Sequence, residues 1–114
     1  CVVGCGGNRD KGKRAKMGEV ASKIADCVVV TSDNPRQEDP FEIIKDIEKG
    51  ITYASEISIE PERSMAIQLA IAKANKNDVV LIAGKGHEDY QILKDQTIRF
   101  DDSDQARKAL FLKQ

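Results

Sequence analysis

The 114-residue sequence has no tryptophan, and aromatic residues make up 4% of it. That excludes the stacking platform with which single-stranded nucleic-acid binders hold bases. It also lacks an excess of either charge: 18 Lys+Arg stand against 19 Asp+Glu, for a formal net charge of -1. No basic footprint for nucleic acid follows. No apolar run approaches the roughly 20 residues a membrane span requires, and no signal peptide is read. Neither nucleic acid nor membrane is expected as a partner. Cysteine is scarce and odd in number: Cys1, Cys5 and Cys27 lie in or beside apolar segments. They read as reduced, packed thiols of a cytoplasmic protein. With His87 the single histidine, the ligand set is poor and no metal site is expected.

What is present is an alternation of apolar runs and helical stripes. Cys1–Cys5 reads as a buried strand. A buried parallel strand is rarely a natural N-terminus, so a fragment of a longer protein is expected. Met17, Val20, Ala21, Ile24 and Ala25 recur at helical spacing and predict an apolar stripe facing a sheet. Cys27–Thr31 reads as a second buried strand. Asp39-Pro40-Phe41-Glu42 is a strong helix start, Ile43, Ile44 and Ile47 form its inner face, and Gly50 ends it. A short strand is expected around Glu56–Ile59. Pro61 opens a helix with Ala66, Ile67, Ala70, Ile71 and Ala74 inward. Val79–Ala83 reads as the clearest buried strand in the chain. Tyr90–Leu93 and Thr97–Phe100 form a hairpin. A last helix, capped within Asp102–Gln105, turns Ala106, Ala109 and Leu110 inward. The order predicts a three-layer, Rossmann-like α/β domain with a mostly parallel sheet and a C-terminal antiparallel hairpin.

Three loops leave the C-terminal ends of parallel strands, where open α/β sheets bind ligands. The first, Gly6–Arg14, is basic and glycine-rich but matches neither GxGxxG nor Walker A. Either an anion site or a solvated loop fits its charge. The second is Thr31-Ser32-Asp33-Asn34-Pro35-Arg36. Pro35 fixes its own φ and pushes Asn34 into extended conformation, so a stiff loop presents Arg36. Taken alone, it also reads as an ordinary Asx-turn with a solvated arginine. The third is Gly84-Lys85-Gly86-His87-Glu88. Together they offer Arg9, Arg36, Lys85 and backbone N–H groups for anions, and Asp33 and Glu88 for cations. That mixture suits a zwitterionic amino acid: arginine grips a carboxylate bidentately, and a carboxylate accepts from an ammonium.

Four anchors in order carry a resemblance over essentially the whole chain. They are Gly4–Arg14, Thr31–Arg36, Leu81–Gln91 and Phe100-Asp101-Asp102. The chain resembles the C-terminal, amino-acid-binding domain of the Mur ligase family, in its meso-diaminopimelate-adding branch. Asn8 stands where the family commonly has aspartate. The resemblance implies an ATP-dependent amide ligase of peptidoglycan precursor synthesis, acting on UDP-N-acetylmuramoyl-L-alanyl-D-glutamate. The substrate carboxylate would be phosphorylated to an acyl phosphate that the incoming amine attacks. By the same resemblance Asp33-Asn34-Pro35-Arg36 recognises diaminopimelate, Arg9 and Arg36 bind its carboxylates, Gly84 adds backbone contacts and Glu88 holds an amino group. Lys11, Lys13 and Arg14 are candidates for nucleotide phosphate, while Lys85 is open between substrate contact and finishing a turn, and His87 between ordering its loop and acting as a general base. No catalytic residue is expected here. ATP and Mg²⁺ would be held by a central domain and the UDP moiety by an N-terminal one, neither within this sequence. The fragment itself should bind no cofactor, lack ligase activity and be monomeric. L-Lysine or a diaminopimelate analogue as substrate, and a stand-alone phosphate-binding module, are the alternatives.

Overall fold

The computed structural model describes residues 1–53 and 56–113. Its elements run β1 (Val2–Val3), α1 (Gly12–Ile24), β2 (Cys27–Val30), α2 (Pro40–Glu48), β3 (Glu56–Ile59), α3 (Arg63–Lys73), β4 (Tyr90–Ile92), β5 (Thr97–Arg99) and α4 (Asp102–Lys113). β1, β2 and β3 form a parallel sheet in that order, and β4 and β5 pair antiparallel. The expected three-layer α/β architecture is therefore present, with its hairpin.

Strand alternation sorts the core into two halves. Val2 and Val29 point to one face, where they meet Ala66, Ile67 and Ile71 of α3, Ala109 of α4 and Phe100. Val3, Val28 and Val30 point to the other, with Cys5 and with Ile43, Ile44 and Ile47 of α2. A run that feeds both layers must be apolar at every position, which is why Cys27–Val30 shows no polar alternation. Burying a side chain of this size contributes about 1.5–3 kcal/mol. α2 begins as its residues predict: Asp39 Oδ1 accepts from Phe41 N at 2.9 Å and Pro40 takes the first helical position. For α4 the cap is Asp101, one residue before the expected stretch, whose Oδ1 accepts from Ser103 N and Asp104 N.

Three expectations about the core are corrected. The face α1 buries is Arg14, Gly18 and Ser22, with Ala21 and Ala25 partly covered. Met17, Val20 and Ile24 are exposed. Close helix packing decides this: a β-carbon at Gly18 would lie 2.1 Å from the Ile47 carbonyl oxygen of α2, so only the small-residue face can approach. Second, Val79–Ala83 is not a buried strand. It makes one parallel bridge, Val2 to Ile82, with Val2 N donating to Leu81 O and Ala83 N to Val2 O. Val79 is 91% and Leu81 60% exposed, and both line an open groove of about 1080 Å³ with Val20 and Ile24. Third, Leu110 of α4 is exposed, because the helix seats Asp102, Ala106 and Ala109 inward. No helix among the described residues is long and apolar enough to cross a membrane.

Candidate functional site

The three loops do meet. Gly7 N donates to Asn34 O at 2.7 Å, and a β-carbon at Gly7 would lie 1.9 Å from the Pro35 carbonyl oxygen. Only glycine lets the first loop lie this close on the second. Asn8, at φ 55°, completes the clasp: its N donates to Glu38 Oε1 and its Oδ1 accepts from Gln37 N. Asparagine tolerates that left-handed backbone, so its presence at this position is physically consistent.

Arg36 also has left-handed backbone, at φ 53°, which a β-carbon-bearing residue adopts at a cost of about 1–2 kcal/mol. The fold holds it there: Arg36 N donates to Ile92 O at 3.1 Å, and Nη1 donates to Gly7 O at 3.0 Å. Such strain concentrates where a side chain must be presented for a task. Arg9 approaches the same place. A β-carbon at Gly6 would be 2.8 Å from Arg36 Nη1 and 3.4 Å from Arg9 Cγ, so the two arginines flank one glycine. A hollow of about 420 Å³ beside Arg36 is lined by Pro35, Gln37, Leu93 and Lys94.

The third loop supplies the opposite charge. Gly84, at φ 113°, lies in the region that favours glycine, and a β-carbon there would be 3.6 Å from Asp33 Oδ2. Glu88 is half-buried on the following turn, where its N donates to Lys85 O. His87 is exposed on that turn. Lys85 is buried beneath it, pairing with Asp33 Oδ1 at 2.8 Å. Asn34 is buried as well, and its Oδ1 accepts from both Lys85 Nζ and Ile92 N. Pro35 is buried, its carbonyl accepting from Glu38 N.

Among the phosphate candidates, Arg14 is corrected. It is 1% exposed, with Nη1 on Asp46 at 2.9 Å and Nη2 on Glu38 at 3.0 Å and on the Gly6 carbonyl. It braces the first loop from within and is closed to a phosphate. The pairing shows in its partners. The Glu38 carboxyl pKa is held below its ordinary value, first by the Asn8 N–H and then by Arg14. Asp46 is lowered chiefly by Arg14. Lys11 and Lys13 are exposed, and Lys13 lies along the apolar groove. Beneath the first loop, burial pushes the Cys5 thiol up to about 11.

Two supports lie outside the residues expected to form the site. Arg63, fully buried at the start of α3, grips Asp102 of α4 through Nε and Nη2, both at 2.8 Å. Its Nη1 and Nη2 also donate to the Ser32 carbonyl of the second loop and to the Ala83 carbonyl just before the third. Gln91, buried in β4, donates from Nε2 to Asp33 O at 2.7 Å. The Phe100-Asp101-Asp102 anchor was the available signal for Arg63. For Gln91 it was the end of the Leu81–Gln91 anchor, although a glutamine in a hairpin reads as solvated.

A family model described as "Mur ligase, glutamate ligase domain" matches residues 1–86. The chain belongs to the Mur ligase family. It is 84% identical over 113 residues to UDP-N-acetylmuramoyl-L-alanyl-D-glutamate--2,6-diaminopimelate ligase of Prochlorococcus marinus (strain NATL2A), covering 99% of this chain and 22% of that protein. A protein of the same name from Synechococcus sp. (strain WH7803) is 56% identical over 110 residues, covering 96% and 22% respectively. A solved structure of a ligase so named is 42% identical and superposes with a TM-score of 0.91, over 98% of this chain and 23% of that one. The chain thus spans about a fifth of the length of the relatives it matches. Within this Mur ligase domain, Arg9 and Arg36 flank Gly6 and Asp33 lies near Gly84, on supports buried below the rim.

Proposed function

We propose that this chain is the amino-acid-binding part of an ATP-dependent ligase that joins meso-diaminopimelate to UDP-N-acetylmuramoyl-L-alanyl-D-glutamate. The observation that carries the reading is the flanking of Gly6 by Arg9 and Arg36, with Asp33 Oδ2 facing Gly84 on the neighbouring loop. Guanidinium groups suit the carboxylates of the incoming amino acid, and Asp33 and Glu88 suit its ammonium groups. Asn34 and Pro35 shape the loop, and Gly84 keeps the approach to Asp33 open. The names borne by the relatives agree with this chemistry.

ATP would supply the phosphoryl group that activates the substrate carboxylate, and the amine held here would displace phosphate from the acyl phosphate. ATP and Mg²⁺ are assigned to the rest of the longer protein. Among the described residues no group of three His, Cys, Asp or Glu stands ready to hold a metal. Lys11 and Lys13 are the exposed cations that suit a nucleotide phosphate from that part. His87 is assigned to the ordering of its loop.

L-Lysine lacks the second carboxylate. A site built around Arg36 would reject it by leaving a cation unpaired. In the full-length ligase, Arg36→Ala should raise the KM for diaminopimelate by roughly 10-fold or more, the worth of a charge-assisted pair. The KM for ATP should stay within about twofold. Loss of nucleotide affinity instead would favour a phosphate-binding module, and no change in either would remove the reading. The 114-residue chain alone should turn over no ATP when diaminopimelate is added.

A further inference from the structure

We propose that Lys85 is a positioning residue for amino-acid selection, holding the Asp33–Arg36 loop in its binding geometry without touching the ligand. The inference rests on the reading of the site given above. A lysine between two glycines at a loop rim ordinarily sends its ammonium into water. Here the side chain is 0% exposed. Three oxygens surround Nζ: Asp33 Oδ1 at 2.8 Å, the Tyr90 carbonyl at 2.9 Å and Asn34 Oδ1 at 3.1 Å. An ammonium carries three donors. Two are hydrogen-bonded, to the Tyr90 carbonyl and Asn34 Oδ1, and the charge is paired with Asp33 Oδ1, so the ammonium is already neutralised without a substrate carboxylate.

The partners belong to separate parts of the rim. Asp33 and Asn34 lie in the loop after β2, and Tyr90 opens the hairpin. Lys85 therefore fastens the second loop to the third and to β4. Its grip on Asp33 is one-sided. Oδ1 is ion-paired with Nζ, while Oδ2 lies toward Gly84. Its grip on Asn34 runs on to the arginine. Asn34 Oδ1 also accepts from Ile92 N, and Ile92 O accepts from Arg36 N, the bond that holds the left-handed backbone of Arg36. Gln91 adds a parallel tie through the Asp33 carbonyl. Without the ammonium, Asp33 is a half-buried carboxylate released from its partner, and the Asn34 amide is free to turn.

The test uses the full-length ligase with four substitutions, Lys85→Met, Gln91→Leu, Arg36→Ala and Asp33→Asn. Lys85→Met should raise the KM for diaminopimelate about 10-fold or more, the usual loss when one partner of a charge-assisted bond is removed. The KM for ATP should stay within about twofold and kcat within about threefold, because a positioning role acts on binding of one substrate. Gln91→Leu, which removes a neutral hydrogen bond, should give roughly a threefold rise. A double variant with Asp33→Asn should lose less than the product of the two single effects, since Lys85 acts through Asp33. Fully multiplicative losses would mean that Lys85 contacts the ligand, which overturns the proposal. Unchanged diaminopimelate KM in folded Lys85→Met also overturns it. Should Lys85→Met fail to fold, Gln91→Leu decides: an unmoved KM there overturns the proposal. Arg36→Ala keeps the two readings apart. If it leaves the diaminopimelate KM unmoved, the substrate assignment itself fails. If it raises that KM and Lys85→Met does not, only the positioning role fails.

Discussion

Two apolar runs of this chain look alike and end up differently. Cys27–Val30 is the middle strand of the sheet, with Val28, Val29 and Val30 all within 1% of fully buried. Val79–Ala83 is as apolar and as β-branched, yet it makes one bridge and leaves Val79 and Leu81 exposed beside a groove. The difference is one of neighbours. β2 has a strand on each side and helices on each face. The second run has β1 on one side. Yet the poorly covered run feeds the third loop of the site, whose position is secured elsewhere, by Arg63 on the Ala83 carbonyl and by Lys85. In this fold a site loop takes its rigidity from buried cations above the strand, more than from the strand below it.

That contrast can be broken experimentally. The largest effect is expected at Arg63. Arg63→Met leaves Asp102 as a buried, unpaired carboxylate and should destabilise by about 3–5 kcal/mol, read as a lowered midpoint in urea unfolding. An effect below about 1 kcal/mol would mean the buried brace does not hold the rim. Next comes the well-covered run: Val29→Ala should lose about 2 kcal/mol in the same measurement. Leu81→Ser in the 114-residue chain should stay within about 0.5 kcal/mol, as surface substitutions do. Equal losses at Val29 and Leu81 would erase the comparison.

The smallest effects are expected from titration. Glu38 and Asp46 have lowered pKa values in the folded chain, so the stability they contribute is present above their ordinary 4.5 and 3.8. It is lost as pH falls through the lower folded values. Arg14→Met should flatten this acid limb of a stability–pH curve, and an unchanged limb would contradict the role given to Arg14. Cys5 runs the other way. Its thiol keeps its proton up to about 11 rather than 9.0, so its contribution is intact below 9 and declines as pH rises from there. Cys5→Ala should remove that decline. Alkylation of Cys5 in the folded chain at pH 8 should also be slow, as measured by mass spectrometry.

Much of the site was legible because loop chemistry is local. Pro35 stiffens its loop by itself, and glycines permit close approach whatever surrounds them. The parallel arrangement then brings three strand ends to one rim. What stayed hidden were the side chains whose role depends on partners far along the chain. Arg14 looked like one more cation of a basic loop until Glu38 and Asp46 closed on it. Gln91 and Arg63 carried no local mark of their contacts with Asp33 and Ser32. In α1 the stripe Met17, Val20 and Ile24 has helical spacing, but Gly18 against Ile47 dictated which face turns inward.

The order of strands and helices, the capping of α2, the hairpin and the family were determined by residues acting within a few positions of one another. Which apolar run is covered, which cations face a ligand and which are sealed inside were decided only by tertiary packing. The reason is physical: propensity and turn chemistry are set by the nearest covalent neighbours, whereas burial and ion pairing depend on groups that meet only once the chain has closed on itself.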